Sequence, residues 1–239
     1  ADLSGSKLSA DGGRYATIGF NEANLAHADL SGSKVTTDGK HGITTATIGF
    51  KKANLANADL SGSKLEAKGT EATIDFIGAN LAHTDLSGSN FEAYTDYYGA
   101  TVDFTKANLA NADLSGSLLT AESRKGDTTI DFAKADLTNA DLSGSNLTST
   151  SGKGVLPEHT GVSTINFAGA DLTNAEFSGT MLATMLATNL SRVWFPKGAP
   201  RPPSPPPPSA SSPSPPPPSA SSPPPPPPPP SPSPPGPSP

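Results

Sequence analysis

The sequence contains no cysteine, few aromatic residues, no excess of basic residues and no long apolar run. Without cysteine the chain has neither a disulfide framework nor a thiolate for a metal site. A net charge of −6 argues against a nucleic-acid partner, because proteins that bind phosphates present a basic surface. No apolar stretch approaches the roughly 18 residues of a membrane-spanning helix. We therefore expect no nucleic-acid partner and no membrane span.

What the chain does contain is a five-residue period. Bulky apolar residues stand at Phe20, Leu25, Leu30 and Val35, each with a small or apolar residue two places before it. No i, i+3, i+4, i+7 pattern survives across this block, which argues against an amphipathic helix. A short internal period predicts a solenoid. The block returns at Phe50/Leu55/Leu60/Leu65, Phe76/Leu81/Leu86/Phe91, Phe104/Leu109/Leu114/Leu119, Phe132/Leu137/Leu142/Leu147 and Phe167/Leu172/Phe177/Leu182.

Four successive pentapeptides can form the four sides of a square coil. The bulky residue and the small one two places earlier would point inward, and coils would stack about 4.8 Å apart with like residue on like residue. The units Ala-Asp-Leu-Ser-Gly (28–32) and Ala-Asn-Leu-Ala-Asn (53–57) match the A(D/N)LXX pattern, so residues 1–182 resemble pentapeptide-repeat proteins. The resemblance implies an all-β fold, a right-handed quadrilateral β-helix. Because the repeating core occupies so many positions, we expect no enzyme activity and no cofactor.

Each coil carries one extra segment between its fourth and first sides. We expect these segments to form a ridge of loops at one corner, and two interpretations stay open: a binding surface or tolerated insertions. After Leu182 the period ends, and an apolar cluster in residues 183–199 is predicted to form a C-terminal cap and linker. The extra segments are Ser9–Thr17, Thr36–Thr47, Glu66–Thr73, Glu92–Thr101, Thr120–Thr129 and Thr148–Thr164.

Residues 200–239 consist almost entirely of proline and serine and hold 25 of the 27 prolines. Such a segment adopts an extended polyproline II helix, as either a spacer or a ligand for aromatic-lined domains. Its Ser-Pro-Pro-Pro-Pro units also resemble extensins and the hydroxyproline-rich glycoproteins of plant and algal walls and flagellar surfaces. That resemblance implies hydroxylation and O-glycosylation at Ser204, Ser214, Pro205, Pro206, Pro207, Pro208, Pro215, Pro216, Pro217, Pro218, Pro223, Pro224, Pro225, Pro226, Pro227, Pro228, Pro229 and Pro230.

Two asparagines stand in N-glycosylation sequences, Asn146-Leu147-Thr148 and Asn189-Leu190-Ser191. Asn146 precedes an inward leucine and is therefore expected to face solvent. Modification of either asparagine would place the chain outside the cell.

Stacking is expected to align three sets of polar residues. One is an acidic row that either bridges Ca²⁺ or accepts hydrogen bonds from its own Ser-Gly-Ser turns, the latter being favoured. A threonine row, Thr17/Thr47/Thr73/Thr101/Thr129/Thr164, is compatible with ice binding or with ordinary strand preference. His27 and His83 share a column but are separated by Asn57, so no histidine site is expected. The acidic row is Asp29, Asp59, Asp85, Asp113 and Asp141, continued by Asp2 and Glu176.

These patterns support two hypotheses about function. The first is a structural extracellular glycoprotein, a subunit of a cell wall, flagellar coat or extracellular fibril, that associates with itself into a filament or wall matrix. The chain opens on Ala1 within a coil, which we interpret as a processed or incomplete N-terminus and, if mature, as an open end for head-to-tail assembly. The alternative is a module that binds a ligand or ice through its corner loops or threonine row.

Overall fold

The computed structural model describes residues 1–39, 44–152, 161–186 and 191–194, and side chains up to residue 182. All the regular structure in this part of the chain is β-strand, and every strand pair is parallel. No helix in it is long and apolar enough to span a membrane. The strands are β1 Lys7–Gly12, β2 Tyr15–Gly19, β3 Lys34–Gly39, β4 Thr45–Gly49, β5 Lys64–Gly69, β6 Glu71–Asp75, β7 Asn90–Thr95, β8 Ala100–Asp103, β9 Leu118–Ser123, β10 Thr128–Asp131, β11 Asn146–Ser151, β12 Ser163–Asn166, β13 Met181–Leu186 and β14 Ser191–Trp194.

The strands form two seven-stranded sheets in strict alternation along the chain. The first sheet has the order β1-β3-β5-β7-β9-β11-β13, and the second sheet has the order β2-β4-β6-β8-β10-β12-β14. The remaining two sides of each coil are single parallel bridges, such as Asn24 to Asn54 and Asp29 to Asp59. The chain is thus a four-sided β-solenoid, and the fold class predicted from the sequence is confirmed.

The inward positions of the five-residue period build the core. Leu55, Leu60 and Leu65 are fully buried, as are the alanines two places before the first two of them. Six phenylalanines stack in one column from Phe20 to Phe167, with neighbouring ring centroids 4.8–5.0 Å apart and ring planes within 15°. This spacing equals the distance between neighbouring strands of a sheet, so it confirms the expected rise from one coil to the next.

Tight turns join the short sides. In the turn from Phe20 to Ala23, the Ala23 N–H donates to the Phe20 carbonyl at 3.0 Å, and Glu22 has φ of 61°. A positive φ at the third turn position is typical of a type II turn and favours Gly or Asn. Gly32 and its equivalents supply this conformation at one corner, whereas Lys52 and Lys106 adopt it with a full side chain.

The expectation of a ridge of loops at the fourth corner is corrected by the structure. The extra segments do lie at one corner of every coil, but most of each of the first five is strand, and Thr148–Thr164 begins and ends in strand. These strands lengthen the fourth and first sides. Small side chains fill the space between the two lengthened sheets, including Ala67, Ala72, Ala93 and Ala100, all buried. These residues alternate with outward ones at period two, the strand period. The corner is therefore a thin, two-layered fin.

The C-terminal region extends the same two sheets. β13 pairs with β11 and β14 pairs with β12, both in parallel. Part of the predicted cap, residues 183–199, therefore lies within these strands, and residues 187–190 and 195–199 lie outside the described residues. By backbone contacts the chain divides into Ala1–Ser204 and Pro205–Pro239, of which only the first contains described residues.

Candidate functional site

The aspartate row forms as predicted on the third side of the coils. Parallel bridges join its members in sequence, from Asp2 through Asp29 to Glu176. In the five central coils each Asp Oδ1 accepts a hydrogen bond from the backbone N–H two residues later, at 2.7–2.9 Å. The interpretation that these carboxylates cap their own turns is confirmed.

These capping bonds use one carboxylate oxygen of each aspartate, Oδ1. Asp29 also accepts from the Ser31 hydroxyl at 2.7 Å, and Asp2 does the same with Ser4. The Ser4 hydroxyl and N–H lower the pKa of Asp2. Among the described residues, no group of three or more His, Asp or Glu side chains is arranged to hold a metal ion.

The threonine row also forms, on the outer face of the second sheet. Its six members pair strictly in register from Thr17 to Thr164. The neighbouring outward column contains Gly19 and Gly49, followed by Asp75, Asp103 and Asp131. Asn166 is the last residue of this column whose side chain is described. The second sheet therefore offers one uniform row of hydroxyls beside a mixed row.

Three carboxylates of that mixed column lie on consecutive strands, which the sequence analysis did not single out as a site. Burial raises the pKa of Asp75 and of Asp131, and the adjacent Asp103 raises both further. Each of the three accepts a backbone hydrogen bond from two residues later. Asn166 relieves the end of the column by donating its amide to Asp131 at 3.0 Å.

The outer face of the first sheet carries an ion-pair network, also missed. Glu66 contacts the ammonium groups of Lys34, Lys64 and Lys68, and Lys64 lies 2.9 Å from Glu92. Burial raises the pKa of Glu66, but the lysines outweigh it and hold that pKa below its usual value. The hydrogen bond to Glu92 raises the pKa of Lys64. This network joins three coils on one face.

Amide ladders occupy the remaining sides. Asn54 donates to Asn24 at 3.2 Å and Asn80 donates to Asn54 at 3.1 Å, which repeats the chemistry of one coil on the next. His27 and His83 lie in the left-handed turn column, with Asn57 between them as expected. They are surface residues of two separate coils.

The structure places one of the predicted glycosylation residues. Asn146 begins β11 on the outer face of the first sheet and is partly exposed, as expected. The Thr148 hydroxyl donates to the Asn146 Oδ1 at 2.8 Å. Asn189 and all the serines and prolines of the tail named above lie outside the described residues.

A signal for the missed residues was present in the sequence. The extra segments alternate, as in Leu65-Glu66-Ala67-Lys68 and Ala72-Thr73-Ile74-Asp75, with apolar or small residues on one face and polar ones on the other. This alternation predicts strands, and strands that stack in register bring Glu66 beside Glu92 and Asp75 beside Asp103.

Comparison with known protein families supports the repeat. The Pentapeptide repeats family model matches residues 74–93, 101–120 and 130–152, with 8 copies. Comparison with the curated proteins gives no match.

Similar solved structures include the pentapeptide repeat protein Rfr23 of the cyanobacterium Cyanothece 51142, with 16% identity, 77% of this chain and 84% of that protein covered, and a TM-score of 0.22. A pentapeptide repeat protein of the Arabidopsis thaliana thylakoid lumen shares 17% identity, with 76% and 64% covered and a TM-score of 0.16. HetL, involved in heterocyst differentiation regulation in Nostoc sp. PCC 7120, shares 22% identity, with 76% and 88% covered and a TM-score of 0.16. At these identities the likeness concerns the fold alone.

Proposed function

We propose that this protein, which carries pentapeptide repeats on a β-solenoid, is a non-catalytic structural glycoprotein of the extracellular space. It would be a subunit of a wall, flagellar coat or fibril. The observation that carries this proposal is the pair of Ser-Pro-Pro-Pro-Pro units beginning at Ser204 and Ser214, followed by eight consecutive prolines, 223–230. These units resemble those of hydroxyproline-rich glycoproteins, in which sugars on hydroxyproline keep the polyproline helix soluble and stiff.

The solenoid supports a mechanical role because its cohesion is continuous along one axis. Every coil is hydrogen-bonded to the next in both sheets and across the two single-bridge sides. Stacked phenylalanines and the amide ladder repeat along the same direction, and the Glu66 ion-pair network links three successive coils along it. A solenoid of this kind resists bending at any single coil, because each coil is bonded to its neighbours on all four sides.

Mass analysis of the native protein tests the glycoprotein proposal. We expect a mass well above the bare-chain value of 24.1 kDa, with hydroxyproline in the tail and arabinose-rich sugars released from it. An Asn146→Gln variant expressed in the native cell should lose one N-glycan relative to the wild type. A native protein of bare-chain mass with unmodified proline would refute the proposal.

Self-association into a filament or wall matrix is the assembly that this role requires. Electron microscopy of native material should show fibrils or sheets, and mild deglycosylation should change their cohesion. Dispersed single particles in native material prepared without disrupting the wall would argue against assembly.

A second candidate function is binding of ice or a ligand through the threonine row, which is favoured by the strict register of its six members on one sheet. Thermal hysteresis of the purified protein tests ice binding. Replacing Thr101 with Lys should abolish any such activity, whereas replacing Thr120 on the first sheet should not. No thermal hysteresis in the wild type would remove ice binding.

A further inference from the structure

Three of the four tyrosines of the chain lie within five residues at the edge of the fin, where the first sheet ends. Tyr97 is 55% exposed and Tyr98 is 54% exposed, although both belong to a coil in the middle of the solenoid. Tyr94 stands on β7 just before them, and its hydroxyl donates to Asp96 at 3.2 Å. Large exposed aromatic rings concentrated at one place mark a contact surface.

Buried hydroxyls hold this turn in one conformation. Thr95 and Ser123 are fully buried and donate to the Tyr98 carbonyl at 2.7 and 2.9 Å. The Tyr98 N–H donates to the Thr70 carbonyl of the preceding coil at 2.8 Å. The tyrosine rings are therefore presented by a backbone that is already ordered, which lowers the entropy cost of binding.

Charged groups of both signs surround the rings. The Lys125 ammonium lies 4.9 Å from the centroid of the Tyr97 ring, a cation–π contact that restrains the ring. Arg124 Nε lies 3.2 Å from Asp96 Oδ1. On the adjacent strand, Lys68 pairs in register with Tyr94. Asp38 pairs in register with Lys68, and Glu122 pairs in register with Tyr94. Three basic and three acidic residues therefore lie around the rings, and the surface has no strong preference for a ligand of either charge.

Tyr94, Tyr97, Asp96 and Lys68 line a depression of about 310 Å³. This volume is near the lower end of the range for small-ligand pockets, roughly 300–1,000 Å³. Asp38 also lines this depression. Aromatic faces, carboxylate acceptors and an ammonium donor thus meet in one open cavity. Sugars have the complementary chemistry: an apolar face of C–H groups and a rim of hydroxyls that both donate and accept.

We propose that this depression binds a neutral oligosaccharide, with one sugar ring packed on Tyr97 and its hydroxyls bonded to Asp38, Asp96 and Lys68. An unmodified Ser-Pro-Pro-Pro-Pro segment fits less well, because its prolines offer carbonyl acceptors but no donors, and only its serines can donate. Binding it would cover the Asp38 carboxylate and supply fewer hydrogen bonds than a sugar supplies, and a desolvated carboxylate is costly when its hydrogen bonds to water are not replaced.

Calorimetric titration of the full chain, produced in bacteria so that it carries no sugars of its own, tests the proposal. The probes are arabinotriose, galactotetraose and cellotetraose at millimolar concentration, with a Ser-Pro-Pro-Pro-Pro-Ser peptide and trigalacturonic acid for comparison. We expect at least one neutral oligosaccharide to bind and the peptide and the acid not to bind.

Variants locate the binding. Tyr97→Ala should weaken affinity about tenfold, the loss of one aromatic contact, while Tyr97→Phe should stay close to the wild type. Tyr15→Ala is the matched control, since Tyr15 is 76% exposed on the other sheet, and it should leave affinity unchanged. Asp38→Asn should weaken binding without changing thermal stability.

Three results would overturn the proposal: no neutral sugar binding in the wild type, equal losses in Tyr15→Ala and Tyr97→Ala, or binding of the peptide in place of sugars. This inference goes beyond the structural role and does not rest on it. Mass analysis of native material tests that role, whereas sugar binding is measured on unmodified protein, so the two can fail separately.

Discussion

Replacing Phe104 with alanine should destabilise the solenoid strongly, because Phe104, like Phe76, contacts three other phenylalanine rings. Phe104 is fully buried, stacks on Phe76 at 4.8 Å and on Phe132 at 5.0 Å, and meets Phe91 edge-on at 6.1 Å. A buried Phe→Ala change costs about 3–5 kcal/mol, and each aromatic pair contributes about 0.5–1.5 kcal/mol beyond the area buried. With three such pairs lost, we expect about 5 kcal/mol.

Phe20 provides the matched control within the same column. It is only partly buried and stacks on a single ring, that of Phe50, at 4.8 Å. Phe20→Ala should therefore cost about 2 kcal/mol, less than half the loss at Phe104. The Phe104→Leu variant, which keeps most of the apolar volume but loses the ring contacts, should lie between them at about 2–3 kcal/mol.

Equilibrium urea unfolding, followed by far-ultraviolet circular dichroism, measures these losses, and a double-mutant cycle tests their origin. Leucine substitutions at Phe76 and Phe104, which are in contact, should couple by about 1 kcal/mol. The pair Phe76 and Phe132, two coils apart, should be additive within about 0.5 kcal/mol. Equal costs at Phe20 and Phe104, or equal coupling in both cycles, would refute the idea that stability passes from neighbour to neighbour.

Three further predictions concern other columns. Asp103→Asn should raise the melting temperature at pH 7, because it removes repulsion from Asp75 and Asp131, the carboxylates on both sides. The pKa values of these two are raised, so the gain should fade as the pH falls through them, above the usual range of an aspartate, and a gain independent of pH would contradict this. Lys106 and Gly116 both have positive φ, a conformation that glycine adopts without strain. In urea unfolding, Lys106→Gly should therefore stabilise the protein by about 0.5 kcal/mol, and Gly116→Ala should destabilise it by about 1 kcal/mol. Changes of the opposite sign would show that positive φ does not strain these turns. Leu114→Asp should prevent folding as judged by circular dichroism, because it buries a charge. Asn111→Gly, at an exposed left-handed position, should be nearly neutral. Equal melting curves for the two variants would show that the assignment of inward residues is wrong.

The five-residue period was sufficient to predict the core. Burial of Leu114, Phe104 and their equivalents follows from period alone, because inward positions in a stacked coil repeat at fixed intervals and tolerate only apolar residues. The capping role of Asp29 also followed from sequence, since an aspartate two residues before a serine N–H has a local partner. These inferences needed no knowledge of which coil lies above which.

The fin and its surface could not be predicted in the same way. The extra segments differ in length, so the residue of one coil that lies beside Tyr94 or Glu66 is set by strand register across coils rather than by spacing along the chain. The period-two alternation around Ala67 and Ala72 is typical of strands, although we expected loops there. The alternation also does not show that two such strands pack through alanine into a thin double layer. The tyrosine cluster depends on that packing, and so it emerged only from the structure.

Length variation is confined to a single corner, and this makes the chain easy to lengthen by duplication. Equivalent residues of adjacent coils are 30, 26, 28 or 35 positions apart, yet their side chains still meet across the coils. A tandem duplication of one such stretch would add a complete rung whose ladders, stacked rings and capping bonds find partners at once. Residues added or deleted at the fin tip leave the other three sides in place. Duplications and insertions that would unfold most globular domains should here give solenoids of different lengths with different fin tips. The number of coils and the chemistry of the fin tips can therefore evolve independently.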